Sequence, residues 1–422
     1  MYKKRNNNVF FVFSFLLPFS FGWVNDMASQ LATLSAGVGR AYPETVQVQD
    51  LIDRYETQKL SVLIVPGHDN EDPGSAFGKV READINLTMT TYLLERFGND
   101  SHMSASSTRD VETGEYTTEF QTFLDNESDD INSWSNALRA LTTYYHQNGL
   151  LDKKIIVHHN SAGTRVSQTL YGINRFANEH DVDIVLHVHF NDYSRRSTRA
   201  VGTYSGFTIY VPDEQLPNGR ASQALAEPIL SRLTTHFPVS NLPGESSGIT
   251  QDQELIAVGS NGSREKVSLL IEYGYIYESQ FKSPEVREKI LREMAYQTYL
   301  GVIDFFEASG ASEAEETTLY PFVFTRNLMK GEKNSTEVLH LQGVLHALGF
   351  YPPTGKTLSE CPINGAFGNC VERSVKTFQT QYGISTTGSV GPLTRIKLNE
   401  LSETTYSSTA SSTVATTTAS VQ

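Results

Sequence analysis

Between residues 60 and 308 the chain alternates short apolar runs with longer stretches whose apolar residues recur every three or four positions. The short runs, at 61–65, 155–158, 184–190, 207–211 and 267–271, have the length and β-branched content of buried strands. Helical spacing marks 84–97, 132–146, 168–179, 221–235 and 284–306. The last of these has a clear start, with Ser283 as N-cap, Pro284 at the first helical position and Glu285 in the first turn. This alternation predicts an α/β fold, a mixed sheet covered by helices.

The pattern changes after residue 308. Residues 309–321 are small, acidic and unpatterned, and read as a linker. Within 322–402, Val338, Leu341, Leu345 and Leu348 repeat at helical spacing, as do Val371, Val375, Phe378 and Tyr382, and a third short helix fits 393–401. The expectation is a small three-helix C-terminal bundle with a core of its own. The Ser/Thr/Ala-rich stretch 403–422 lacks core-forming periodicity and reads as a disordered tail. At the other end, Lys3, Lys4 and Arg5 precede an apolar run at 9–24. That is the layout of a signal peptide over 1–27 or, in a second reading, of an uncleaved N-terminal anchor. Pro18 interrupts the run, which is short for a membrane span. Residues 28–59 read as a polar tether or a first helix. The expectation is therefore an exported protein.

Charge narrows the partners. Lys and Arg total 34 against 48 Asp and Glu, a formal net charge of −14. No nucleic-acid partner is expected, because no excess of cations is available to neutralise phosphates. The two cysteines, Cys361 and Cys370, lie close together, and in an exported protein a local disulfide is the expectation.

A few side chains carry the candidate chemistry. His68 sits in a turn rich in Gly and Pro just after the first strand run, and Glu82 opens the helical stretch that follows. His187 and His189 share one face near the end of another strand, because side chains alternate along it, and Glu272 ends a third. Ligands in α/β sheets gather at the carboxyl ends of strands. Two imidazoles and one carboxylate, with the fourth position left to water, form the ligand set of a catalytic zinc site. A further carboxylate that does not bind the metal is needed to take the proton of that water. An ionised Glu272 in an apolar strand is costly unless an Arg or Lys pairs with it or a metal lies beside it. Either His187 or His189 can complete the set at this level. Asn191 continues their face, where it can orient a substrate carbonyl.

The segment VLIVPGHDNEDPGSAFGKVREADINL resembles the opening signature of zinc-dependent N-acetylmuramoyl-L-alanine amidases of the amidase 3 type, enzymes of bacterial cell walls. Thr108-Arg109-Asp110, Arg175-Phe176-Ala177-Asn178, His187-Val188-His189-Phe190-Asn191 and Glu272-Tyr273-Gly274-Tyr275 are similar to later motifs of that family, in the same order. The resemblance runs from 62 to 306. It implies one Zn2+ held by His68, Glu82 and His189, with Glu272 as the catalytic base and with Arg109 and Asn191 binding substrate. It also implies the reaction, hydrolysis of the amide between N-acetylmuramic acid and L-alanine in peptidoglycan. The 322–402 unit resembles the peptidoglycan-binding type 1 module, on Val338-Leu339-His340-Leu341-Gln342, Val375-Lys376-Thr377-Phe378-Gln379 and Gly388-Ser389-Val390-Gly391-Pro392-Leu393-Thr394. Peptidoglycan is the partner so implied; a regulatory protein is not named by the sequence.

Two rivals stay open: a zinc peptidase that cuts the stem peptide, and a wall-binding protein whose hydrolase domain is inactive. The family pattern is also not followed everywhere. The first loop reads His-Asp-Asn instead of His-Gly-Gly, His187 replaces a usual Ser, and a long insertion, about 111–154, precedes Arg175. In it Ile131, Trp134, Leu138, Leu141 and Tyr145 form an amphipathic stripe, preceded by Glu127, Asp129 and Asp130. The stripe reads first as an extra helix packed on the domain's flank. The alternative is a lid that offers a carboxylate to the metal.

Overall fold

The computed structural model describes residues 46–159, 161–192, 196–258, 266–307 and 317–402. The signal segment, most of the tether, the linker up to residue 316 and the tail lie outside the described residues. Among the described residues no helix is long and apolar enough to cross a membrane.

Strands β1 (Leu60–Pro66), β4 (Met103–Ser107), β5 (Ile184–Asn191), β6 (Thr208–Pro212), β7 (Ile249–Asp252) and β8 (Val267–Tyr275) form one sheet, in the order β4-β1-β5-β8-β6-β7. From β4 to β8 the neighbours run parallel, whereas β6 lies antiparallel to β8 and parallel to β7, so the sheet is mixed as expected. The short β2 (Ala76–Phe77) and β3 (Val80–Arg81) make a separate hairpin.

Alternation sorts the strand residues between two faces. Val62, Ile64, Ile184, Leu186, Val188, Leu269 and Ile271 point one way, each at most 1% exposed. They pack under helices Glu82–Gly98, Gly219–Thr234 and Pro284–Glu307. Burying each such side chain contributes roughly 1.5–3 kcal/mol, and together they fix the register. On the opposite face Leu63, Val65 and Val185 lie under helices Thr118–Asn126 and Thr164–Glu179. That same face carries His187, His189 and Glu272, the last two opposite each other in register.

Four elements differ from the sequence expectation. Residues 155–158 form no strand. Ile155 and Ile156 are 39% and 49% exposed, and the backbone N–H of Lys154 donates to the Gln253 side chain at 3.1 Å. A β-branched pair extends into a strand only where a neighbour supplies a ladder, and none does so here. Conversely β4 and β7 form although MSASS and ITQD carry little apolar signal, because β1 and β6 offer them edges. The Thr118–Asn126 helix was also not expected; Thr117 caps it by accepting from the Phe120 N–H.

The insertion packs as a flank helix. In Ser128–Gln147, Ile131, Leu138 and Leu141 are buried against Tyr171 of the Thr164–Glu179 helix. Arg175 pairs with Glu127 at 2.9 Å and with Asp130 at 3.6 Å. Two of the three carboxylates of the lid reading are thus turned to an arginine on the neighbouring helix.

Helices Thr336–Ala347, Asn369–Gln381 and 392–402 make the C-terminal bundle, and Cys361 and Cys370 are joined as a disulfide. Two of its three motifs end in buried glutamines that act alike. Gln342 accepts from the N–H groups of Asn364 and Gly365, and Gln379 from that of Gly388. Each glutamine holds a glycine of positive φ (Gly365 at 73°, Gly388 at 77°) in its turn. The core of this bundle runs on into the catalytic unit as one apolar cluster. At the junction Glu293, 0% exposed, accepts from the Thr318 N–H at 2.6 Å, from its hydroxyl at 2.5 Å and from Gln297 at 2.8 Å. His236 lies 3.8 Å from the same carboxylate, with its ring 5.3 Å from that of His346.

Candidate metal centre

The loop after β1 is shaped by short-range bonds. Asp69 accepts from the N–H groups of Glu71 and Asp72, Asn86 donates to the Gly67 carbonyl, and Arg109 donates to the His68 carbonyl. Together they hold His68 at φ 63°, a left-handed conformation that a non-glycine residue adopts only when its surroundings enforce it. Two glycines leave room for the side chains that converge here. A Cβ on Gly67 would lie 2.2 Å from the His189 ring, and one on Gly74 would lie 2.6 Å from His68 and 2.7 Å from Glu82. Any larger residue at either position would fill the space between the imidazoles and the carboxylate.

Glu82 begins its helix with the side chain 5% exposed. One carboxylate oxygen accepts from Ser75 N–H at 3.0 Å and from Ser75 Oγ at 2.5 Å. The other faces His189 Nδ1 at 3.1 Å and His68 Nε2 at 3.3 Å. Burial alone would raise its pKa, but the His189 and His68 imidazoles hold it well below the carboxylate range. One donor atom from each of His68, Glu82 and His189 falls within 4.8 Å of the other two. Three residues spread over 122 positions of sequence meet at a point sized for one cation. The donor set of two nitrogens and one ionised oxygen fits a divalent metal of zinc's type.

Glu272 faces this group from β8. Burial, with the charges of Glu82 and Glu245 adding, pushes its pKa well above the carboxylate range, and its Oε2 has no partner among the described residues. No Arg or Lys pairs with it among the described residues, which removes the bland explanation of a carboxylate at the end of an apolar strand. His187 does not join the metal group. It is 1% exposed, neither ring nitrogen has a partner among the described residues, and burial followed by the His189 charge lowers its pKa to about 3. It lines a cavity of about 140 Å³ together with His68, His189, Asp69, Tyr116 and Leu170. Asp69 is itself fixed: burial opposes its ionisation, but Arg165 at 2.7 Å and Tyr116 at 3.0 Å bring its pKa down to about 2.

Arg109 and Asn191 are engaged within the protein. Arg109 is 1% exposed, and its guanidinium donates to the carbonyls of His68 and Gly114. Asn191 donates to Glu245 at 3.0 Å. Glu245 went unnoticed in the sequence, where it lies in an irregular Pro/Gly/Ser loop with no periodicity to mark it. In the fold it is 1% exposed and also accepts from the hydroxyls of Tyr210 at 2.6 Å, Tyr275 at 3.1 Å and Ser240. Ser75, a hydroxyl next to Gly74, carries no sequence signal either; only the fold brings it to Glu82.

A family model described as N-acetylmuramoyl-L-alanine amidase matches residues 62–304, and one described as "Putative peptidoglycan binding domain" matches 334–398. A "Probable N-acetylmuramoyl-L-alanine amidase" of Bacillus licheniformis is 36% identical over 97 residues, which are 22% of this chain. The chain spans only 26% of that relative's length. Among solved structures, the CwlD amidase of Clostridioides difficile in complex with the GerS lipoprotein is 16% identical, with a TM-score of 0.38 over 59% of this chain and 100% of that one. The N-acetylmuramyl-L-alanine amidase of Mycobacterium smegmatis is 13% identical, with a TM-score of 0.39 over 60% of this chain and 98% of that one. Such distant overlays carry no weight beside the family match, which covers more than half of the residues. By that match, the chain belongs to the N-acetylmuramoyl-L-alanine amidase family.

Proposed function

We propose that this protein is a zinc-dependent amidase that hydrolyses the bond between the lactyl group of N-acetylmuramic acid and L-alanine in peptidoglycan. The observation that carries the reading is the meeting of His68, Glu82 and His189 at one point, with the unpaired Glu272 opposite His189 in register. When bound, zinc supplies Lewis acidity, which polarises the amide carbonyl and acidifies a water. Glu272 takes the proton of the attacking water and passes it to the nitrogen of L-alanine as the carbon–nitrogen bond breaks. Its burial suits that task, because a carboxyl with a raised pKa returns a proton readily, and a cation nearby favours its ionised form at the start. Ser75 orients Glu82 and Arg109 holds the His68 loop, so we assign Arg109 to positioning and keep Asn191, braced by Glu245, as the substrate-facing amide.

The 322–402 unit would hold wall polymer, with 60–308 as the catalytic unit and 309–321 joining them. Action outside the cytoplasm follows from the substrate, and the basic-then-apolar start of the chain supports export. Mass analysis of fragments released from purified peptidoglycan by the zinc-loaded protein tests the reaction. New L-alanine amino ends with lactyl carboxyls are expected. New ends within the stem peptide would instead favour a peptidase.

A further inference from the structure

Among the described residues, a cavity larger than the one beside His187 lies outside the metal centre. It has a volume of about 500 Å³ and is walled on one side by the insertion, through Arg139, Thr142 and His146. Lys153, His159 and Ser161 form a second side, and Glu254, Leu255 and Ile256 a third. Its volume falls within the range of small-ligand sites. Leu170 lines this basin and also the 140 Å³ cavity beside His68 and His189, so the two hollows share a wall. They open on the same face of the sheet, since Tyr210, whose ring meets His159 at 5.4 Å, pairs with Leu270 two residues before Glu272.

Its charge is unlike that of the chain. In a protein of net charge −14, the basin is lined by Arg139 and Lys153 against the single carboxylate of Glu254. Arg139 is held in place: its Nε donates to the Tyr171 hydroxyl at 3.0 Å, and its guanidinium carbon lies 5.2 Å from that ring's centroid. Its terminal nitrogens have no partner among the described residues. His159 is fixed through Nε2 by Asp252 at 3.0 Å. Lys153 reaches Glu254 only at 3.6 Å, with both side chains exposed, a weak pairing that an incoming anion can displace.

We propose that this basin is a subsite for the stem peptide, taking a carboxylate-bearing segment of it while the muramyl amide lies at the metal centre. The proposal rests on the amidase reading above. It makes the insertion a wall of the binding surface. Arg139 supplies a planar, pre-positioned donor for a carboxylate, which suits a bidentate contact. The residues of the stem beyond L-alanine carry such carboxylates, and they follow the scissile bond directly, as the basin adjoins the metal cavity.

The test compares the zinc-loaded full chain with Arg139→Gln, Lys153→Gln and the double variant. Two soluble muramyl peptides are used, one with free stem carboxylates and one with them amidated. For the free acid, KM is expected to rise about tenfold in the double variant while kcat stays within twofold. The amidated substrate should show a raised KM already with the unaltered protein and respond little to the substitutions. An unchanged KM for the free acid in a folded double variant, or an equal rise for both substrates, overturns the subsite. The free stem peptide, without the muramyl group, is titrated calorimetrically as a readout independent of turnover. No binding to the unaltered protein counts against the subsite. Binding that Arg139→Gln weakens, with no muramyl amide cleaved, overturns the amidase reading and leaves the subsite standing.

Discussion

The two faces of the central sheet are built from the same strands and have opposite characters. On the face under Glu82–Gly98, Gly219–Thr234 and Pro284–Glu307, successive inward residues are aliphatic, and the packing is closed. On the other, one step along the same strands, stand His187, His189 and Glu272. The first face determines where the strands lie. The second inherits that geometry and uses it to hold groups that would not stay buried by their own chemistry. Glu272 and His187 each carry buried polar atoms without a partner, a cost of about 1–3 kcal/mol apiece that the aliphatic face offsets.

The largest effects are expected on the polar face. His189→Ala should remove bound metal and activity together, as measured by metal analysis and turnover. Retention of stoichiometric metal there, with loss in His187→Ala, would exchange the roles of the two histidines. Glu272→Gln should keep the metal and slow turnover by about 10²–10⁴-fold; near-normal rates would exclude it as the base.

Next come substitutions that separate stability from chemistry. Ile271→Ala, one residue from Glu272 but on the aliphatic face, should destabilise by about 2–5 kcal/mol in denaturant while the folded fraction keeps its specific activity. His187→Leu should do the reverse, raising stability by about 1–2 kcal/mol and leaving metal content unchanged, because it removes two unpaired ring nitrogens. A fall in stability would mean that His187 has a partner in the folded protein.

The smallest effect concerns pH and the junction of the two units. Burial lowers the pKa of His236, with Glu293 opposing and His346 adding to the shift, and burial also lowers that of His340, which bonds the Leu319 carbonyl and has Lys289 nearby. Both rings therefore bind protons less readily in the folded protein than in the unfolded chain, which takes them up below about pH 6.5. Stability should be full above that pH and decline as pH falls through it, lowering Tm by a few degrees between pH 7 and 5. In His236→Gln the Tm profile should flatten over the same range. An identical slope would place the sensitivity elsewhere.

Much of this was legible in the sequence because it rests on local pattern. The strand runs at 184–190 and 267–271 were marked by apolar content, and the two-residue period put His187 and His189 on one face. That period could not choose between them. The choice depends on how far along β5 the Glu82 carboxylate reaches, which is fixed by Ser75 and by the space left at Gly67 and Gly74. Nor did pattern reveal Glu245, a loop carboxylate whose role arises only from hydroxyls brought together by β6 and β8. Residues 155–158 misled for the converse reason: their propensity was sound, but the sheet has no neighbour to receive them. The merging of two expected cores was also invisible, since helical periodicity shows which side of a helix is apolar and not what it meets.

The junction at Glu293 bears on how such a molecule would travel over its polymer. A module on a slack leash lets its enzyme cut anywhere within a radius, and the fragments left behind vary in length. Here Thr318 is bonded to a carboxylate buried in the catalytic unit, and Asn364 of the bundle donates to Ser279 at 3.0 Å. On the proposed function, the bundle and the cleft would act as the two jaws of a caliper. A strand gripped by the bundle would meet the cleft at one offset and in one rotational phase, so the spacing of cuts would record the distance between the jaws.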